Sequence, residues 1–197
     1  LCSQLLAYSG RGRFVVEQEN LSRLVEQTSK LLSATLSREI TVTYELDHEV
    51  PPVLMDTTQI RQVVMNLVIN AAEAIGTRGG MISVSTGVVR ADRSLLGLAL
   101  VGDDQAEGDF VFLRVTDNGC GIRASDVRRI FEPFYTTKFT GRGLGLAAVL
   151  GIVRGHKGVL TLTSEVGRGS SFLMLLPPAL LTQVRRPTSE RAGLWRS

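Results

Sequence analysis

Apolar residues recur along this chain in two rhythms. After Asn20, a residue type suited to an N-cap, Leu21, Leu24, Val25, Thr28, Leu31, Leu32 and Leu36 follow helical spacing, which predicts a helix to about Ser37. Ile40 to Leu46 alternates apolar and polar residues as a half-buried strand does. Past Pro51-Pro52, a second helix is expected to start at Asp56 or Thr57. Ile60, Val63, Val64, Leu67, Val68, Ala71, Ala74 and Ile75 form its one broad apolar face. Gly79-Gly80 turns the chain into a strand from about Met81 to Val89, and Phe110 to Thr116 reads as another. Between them, Ala91 to Asp109 mixes charge and apolar residues and reads as a hairpin-like insertion. Leu144 to Arg154 is helical, and Val159 to Ser164 and Ser170 to Leu175 are strands around a turn at Gly167-Arg168-Gly169. At the start, Leu1 to Ser9 has a helical rhythm and Phe14-Val15-Val16 suits a short strand; beyond Pro177-Pro178 little periodicity remains. This order predicts an α/β two-layer sandwich, a mixed β-sheet covered on one face by helices.

Composition narrows the class. At 197 residues with 44% hydrophobic content, the chain can bury a core of ordinary domain size. No apolar run is long enough to span a bilayer. The apolar start is followed, not preceded, by Arg11 and Arg13, the wrong order for a signal peptide. Cys2 and Cys120 share no metal-ligand spacing with the histidines, which favours a reduced, cytoplasmic setting. The net charge of +3 is spread along the chain, and clusters such as Arg185-Arg186 are too short to indicate nucleic-acid binding.

Candidate chemistry sits in four elements. Asn66 and Asn70 lie one turn apart on the same side of the second helix, where an amide among apolar residues needs a partner or a ligand. A neutral Asn70 oxygen suits a magnesium ion already surrounded by phosphate. Asp117-x-Gly119-x-Gly121 ends a strand; its carboxylate can accept from an exocyclic amine, and its glycines let backbone approach a flat ring. Phe131-Glu132-Pro133-Phe134-Tyr135-Thr136-Thr137-Lys138 sets aromatic residues beside a lysine able to reach phosphate. Gly141-Arg142-Gly143-Leu144-Gly145-Leu146 runs directly into a helix, whose backbone N–H groups make an anion site. It lacks the lysine and Ser/Thr of a P-loop.

In order and spacing these elements resemble the N, G1, F and G2 boxes of the catalytic ATP-binding domain of two-component histidine kinases, in the wider family shared with the gyrase, Hsp90 and MutL ATPases. Gly167-Arg168-Gly169-Ser170-Ser171-Phe172 resembles the final glycine box, with serine where threonine is commoner. The resemblance implies a Bergerat-type ATP-binding fold over residues 13–176, with ATP and Mg2+ as cofactors. Asn70 would hold magnesium, helped by Asn66. Asp117 would accept from the adenine amine, with Gly119, Gly121 and Ile122 along the base. Gly141, Gly143, Leu144, Gly145 and Leu146 would form the lid and its hinge, with Lys138 and Arg142 on phosphate. The family often carries a basic residue where Glu73 stands, so the triphosphate would lean more on the lid. The lid, about Arg123 to Arg142, is expected to be mobile without nucleotide.

The ATPase branches of the family carry a water-activating glutamate where this chain has Asn66, and an amide cannot act as a general base. The expected chemistry is therefore phosphoryl transfer to a histidine supplied from elsewhere. His48 lies in a strand-to-helix connection with proline at the wrong distance for a phosphoacceptor, and His156 is expected to be structural, at a helix C-terminus that favours a cation. Leu5 to Arg11 resembles the end of the second helix of a dimerisation and phosphotransfer domain. Residues 1–12 would be its remnant and residues 177–197 a linker or disordered tail. The implied partners are that histidine-containing domain of the same kinase and a response regulator. The parent would be a homodimer, and this chain, without most of the four-helix bundle, a monomer. Two readings of other classes stay open: a water-activating ATPase module of the topoisomerase or chaperone kind, and a degenerate scaffold that keeps the fold to bind a partner. A serine-directed kinase relative is a third option within the fold.

Overall fold

The computed structural model describes residues 15–136 and 143–179. The chain enters through a short strand β1 (Glu17–Glu19) and passes Asn20, whose side chain accepts from the Arg23 N–H, into helix α1 (Leu21–Leu32). The helix stops at Leu32 and not at Ser37. Ser33 and Thr35 turn their hydroxyls onto the carbonyls of Lys30 and Leu31, offering the backbone an alternative to a further turn. Leu31 stands at the margin of the apolar stripe and is 53% exposed.

Strand β2 (Ile40–Leu46) follows, then β3 (Val53–Met55), which pairs antiparallel with β1. Val15 and Val16 lie outside this ladder. The Val15 N–H donates instead to Asp56 Oδ2, and pairing begins at Glu17. Asp56 caps helix α2 (Thr57–Ile75) by accepting from the N–H groups of Thr58 and Gln59. Ile60, Val63, Val64, Leu67, Val68, Ala71 and Ile75 are buried along one side of α2. The α2 crossover makes the next strand, β4 (Gly80–Ala91), parallel to β2, and every other pairing in the main sheet is antiparallel.

Between β4 and β6 (Gly108–Asp117) the chain does more than form a hairpin. The ends are paired as a hairpin would be, with Ala91 opposite Gly108. The intervening residues form a short helix α3 (Arg93–Leu96), capped by Asp92, and a strand β5 (Ala99–Val101) that crosses to the far edge of the sheet. Helix α4 (Gly145–Gly155), β7 (Val159–Glu165) and β8 (Gly169–Leu176) complete the fold, and the sheet order is β2-β4-β6-β8-β7-β5.

The sheet alternates its residues between two apolar clusters. On β8, Phe172, Met174 and Leu176 face the main core under α1, α2 and α4, while Leu173 and Leu175 join Ala91, Leu96, Phe110 and Val159 in a smaller cluster. The insertion thus covers part of the sheet's second face. Past Leu176 the chain stays attached as far as Ala179. Pro178 bridges to Val53 and the Ala179 N–H donates to the Pro52 carbonyl, three residues beyond the boundary expected at 176. No helix among the described residues is long and apolar enough to cross a membrane.

His156 is structural, but it is not a cation. Its Nε2 accepts from the buried Asp56 N–H at 3.0 Å and its Nδ1 lies 2.8 Å from the Ile152 carbonyl, so the proton sits on Nδ1 and the ring is neutral. Burial lowers its pKa and outweighs the Ile152 bond and the Asp56 charge, both of which act to raise it. A folded-state pKa below the unfolded value means that stability is intact above the unfolded pKa, about 6.5, and falls as pH drops beneath it. We expect the unfolding free energy from urea denaturation to decline from pH 7.5 to 5, with a limiting slope of about 1.4 kcal/mol per pH unit. That component should be missing in His156→Gln.

Candidate functional site

Three segments converge at one end of the sheet. The first is the side of α2 carrying Asn66 and Asn70. The second is the loop after β6 from Asp117 to Ile122, and the third is the chain from Gly143 into α4. Together with the start of β8 they enclose a cavity of about 520 Å³, lined among others by Asn66, Asn70, Asp117, Gly121, Ile122, Gly143, Leu144, Gly145 and Leu146. Nine of the residues singled out from the sequence therefore meet in one place. Lys138 and Arg142, like Gly141, Cys2 and the segment Leu5 to Arg11, lie outside the described residues.

The loop after β6 is held by close backbone contacts. Asp117 is buried, and its Oδ1 accepts from the Gly119 N–H at 2.8 Å. Gly119 is not among the residues lining the cavity. A Cβ there would stand 2.6 Å from the Ala74 carbonyl carbon, so its small size lets the loop lie against the last turn of α2, where the Cys120 N–H donates to the Ala74 carbonyl at 3.0 Å. Gly121 has φ +68, and a Cβ on it would lie 2.1 Å from the Glu165 carbonyl oxygen. The turn between β7 and β8 thus supports the loop from behind, and the Gly167 N–H donates to the Cys120 carbonyl.

The two amides of α2 differ. Asn66 Nδ2 donates to the Gly145 carbonyl at 3.1 Å and ties α2 to the start of α4. Asn70 Nδ2 is a buried side-chain nitrogen without a hydrogen-bond partner among the described residues. Leaving such a group unpaired costs about 1–3 kcal/mol, a cost an incoming ligand can relieve. Among the described residues no side chain caps the start of helix α4, which leaves its first N–H groups open where Gly143 to Leu146 line the cavity. A buried unpaired amide beside an uncapped helix N-terminus fits an anionic ligand with its counter-cation. Among the described residues, no three His, Cys, Asp or Glu side chains gather as a metal site.

Several lining residues were given no binding role from the sequence, although Thr136, Ser170 and Phe172 lie within its motifs. Ile69, Ile130, Thr136, Ser170 and Phe172 join the wall, as do Glu73 and the free, exposed Cys120. Ile69 and Phe172 follow from helix and strand phase once the walls are known, whereas Ser170 enters through its cross-strand position opposite Asp117. Tyr135 also lines the cavity and carries Arg129 over its ring at 4.6 Å. Phe131 is buried in the core. His48 is exposed in the loop before β3.

The family profile described as histidine kinase-, DNA gyrase B- and HSP90-like ATPase matches residues 55–180. Among curated proteins, the chain is similar to the sensor kinase CckA of Brucella abortus, at 36% identity over 180 residues covering 90% of this chain and 18% of that protein. It is also similar to the signal transduction histidine-protein kinase AtoS of Escherichia coli, at 35% identity over 175 residues covering 88% of this chain and 26% of AtoS. The chain thus spans about a fifth to a quarter of these relatives. Among solved structures, the nucleotide-free catalytic domain of the histidine kinase ThkA matches with a TM-score of 0.65 and 28% identity, covering 83% of this chain and 95% of that one. Full-length ShkA in complex with AMPPNP matches in fold, with a TM-score of 0.68 at 23% identity over 89% of this chain and 34% of that one.

At the cavity mouth, the Phe134 N–H donates to the Gly143 carbonyl at 2.8 Å, and Phe134 itself has φ 69 and is 65% exposed. An L residue in the left-handed region costs about 1–2 kcal/mol, and this ring recovers little of that by burial. We expect Phe134→Gly to raise stability by about 0.5–1 kcal/mol in urea denaturation, since glycine relieves the strain but loses more unfolded-state entropy.

Proposed function

The chain belongs to the histidine kinase-, DNA gyrase B- and HSP90-like ATPase family, as a catalytic ATP-binding domain homologous to those of two-component sensor histidine kinases, and from that premise we propose that it holds ATP and Mg2+ for transfer of the γ-phosphoryl group to a histidine on a separate dimerisation and phosphoacceptor domain. The convergence of Asp117, Asn70 and the uncapped start of α4 on one cavity supports this reading. In it, Asp117 accepts from the exocyclic amine of adenine, with Gly121 and Ile122 along the ring and Gly119 setting the loop against α2. The N–H groups from Gly143 to Leu146, leading into α4, take phosphate oxygens. Lys138 and Arg142 add charge there. Asn70, with Asn66 beside it, carries the magnesium ion, which when bound neutralises phosphate charge.

Asn66 separates kinase from hydrolase in this reading. Its amide has no basicity to activate water, and its Nδ2 is engaged with the Gly145 carbonyl. The residues present bind, orient and stabilise charge, and the nucleophile comes from the partner. Two further partners belong to this reading, a response regulator downstream and a second copy of the parent kinase.

Calorimetric titration with a non-hydrolysable ATP analogue and Mg2+ tests the site. Asp117→Asn removes a charge-assisted acceptor and should weaken binding by about 10- to 100-fold. Asn70→Asp sets a carboxylate beside phosphate and should weaken it at least about tenfold. Equal, tight binding by the parent chain and both variants would overturn the assignment. Adding a histidine-bearing dimerisation domain in trans should then give acid-labile phosphate on that domain; its absence despite tight ATP binding would leave a binding module.

A further inference from the structure

Two serines at the cavity wall fix the direction of one hydroxyl proton. Ser164 Oγ, on β7, accepts from the Ile122 N–H at 2.8 Å, donates to the Gly169 carbonyl at 3.0 Å and lies 3.0 Å from Ser170 Oγ. Ser170 is buried, lines the cavity, and sits across the sheet from Ser164 on one side and Asp117 on the other. A serine hydroxyl has one proton and two lone pairs. The Ile122 N–H can only donate and the Gly169 carbonyl can only accept. One assignment supplies a hydrogen to all three contacts: Ser164 gives its proton to Gly169, and Ser170 gives its own to Ser164.

Ser170 then has no proton left for the cavity and presents lone pairs only. Its neighbour Asp117 presents a carboxylate, also an acceptor. We infer that Ser164 is a specificity-determining positioning residue: by holding the Ser170 hydroxyl as an acceptor beside Asp117, it makes this end of the cavity accept ligands that offer an amino edge and reject those that offer a carbonyl. The inference rests on the nucleotide-binding reading above. In its terms, the exocyclic amine of a 6-aminopurine offers its two N–H donors to these two acceptors, while a 6-oxopurine sets its exocyclic oxygen against both, leaving buried polar groups unpaired.

Inosine triphosphate tests this directly, because hypoxanthine differs from adenine only along that edge. With Mg2+ present, the chain should bind ATP at least about 30-fold more tightly than inosine triphosphate. In Ser164→Ala, Ser170 regains a proton for the ligand, and the ratio should fall about tenfold, whatever happens to the absolute affinities. Ser164→Thr keeps a β-hydroxyl on the strand and should restore the ratio. Ser170→Ala deletes the oriented hydroxyl without touching Ile122 or Gly169 and should also lower the ratio, so the test survives a poorly folded Ser164→Ala. A purely structural Ser164 would weaken both nucleotides equally, and an unchanged ratio in Ser164→Ala and Ser170→Ala overturns the inference. Equal binding of the two nucleotides by the parent chain overturns it while leaving the functional reading intact. Failure of the parent chain to bind ATP removes both.

Discussion

Helix α2 is held in the core by seven buried side chains, and everything at the cavity takes its position from that burial. Each fully buried aliphatic side chain contributes on the order of 1.5–3 kcal/mol, far more than any single polar contact at the site. The apolar stripe thus fixes the rotation of the helix, and the rotation fixes where Asn66 and Asn70 emerge. The last turn sets the loop after β6 through the Ala74 carbonyl, and Asn66 sets the start of α4 through the Gly145 carbonyl. A hydrophobic constraint along one face therefore registers three polar segments against one another. The polar contacts refine that arrangement; they do not create it.

Much of the framework was legible because it is periodic or local. The α2 stripe and its start at Asp56, the Asn20 cap, and the strands from Gly108 and Gly169 all depend on neighbours within a few residues. The motif residues were legible as a set, because their order along the chain maps onto loops at one end of a single sheet. What escaped depends on distant partners. The crossing of Ala99–Val101 to the far edge is decided by β7, and the neutrality of His156 by the Asp56 N–H a hundred residues away. Gly119 is small for the sake of Ala74 rather than for a ligand. The serine relay between β7 and β8 is a matter of register, which residue types alone do not reveal.

The second face of the sheet alters the simple two-layer picture. Alternation along β4, β6, β7 and β8 supplies Val89, Phe110, Val159, Leu173 and Leu175 to a cluster that would face water without a cover. Leu95 and Leu96 of the insertion provide that cover, and the ion pair of Arg93 with Glu107 lies at its exposed rim. The segment read from the sequence as a hairpin-like insertion thus has a packing role.

Strand β3 has a consequence of a mechanical kind. Glu17–Glu19 pairs along one side of Val53–Met55, and Pro178 bridges the other side. Residue 15 lies beside Asp56 at one end of β3, and Ala179 beside Pro52 at the opposite end. Tension applied between residues 15 and 179 therefore runs along the strand and loads its hydrogen bonds in shear, all at once rather than one by one. Because β3 leads directly into the Asp56 cap, such a pull would bear on the first turn of α2 before it reached the sheet.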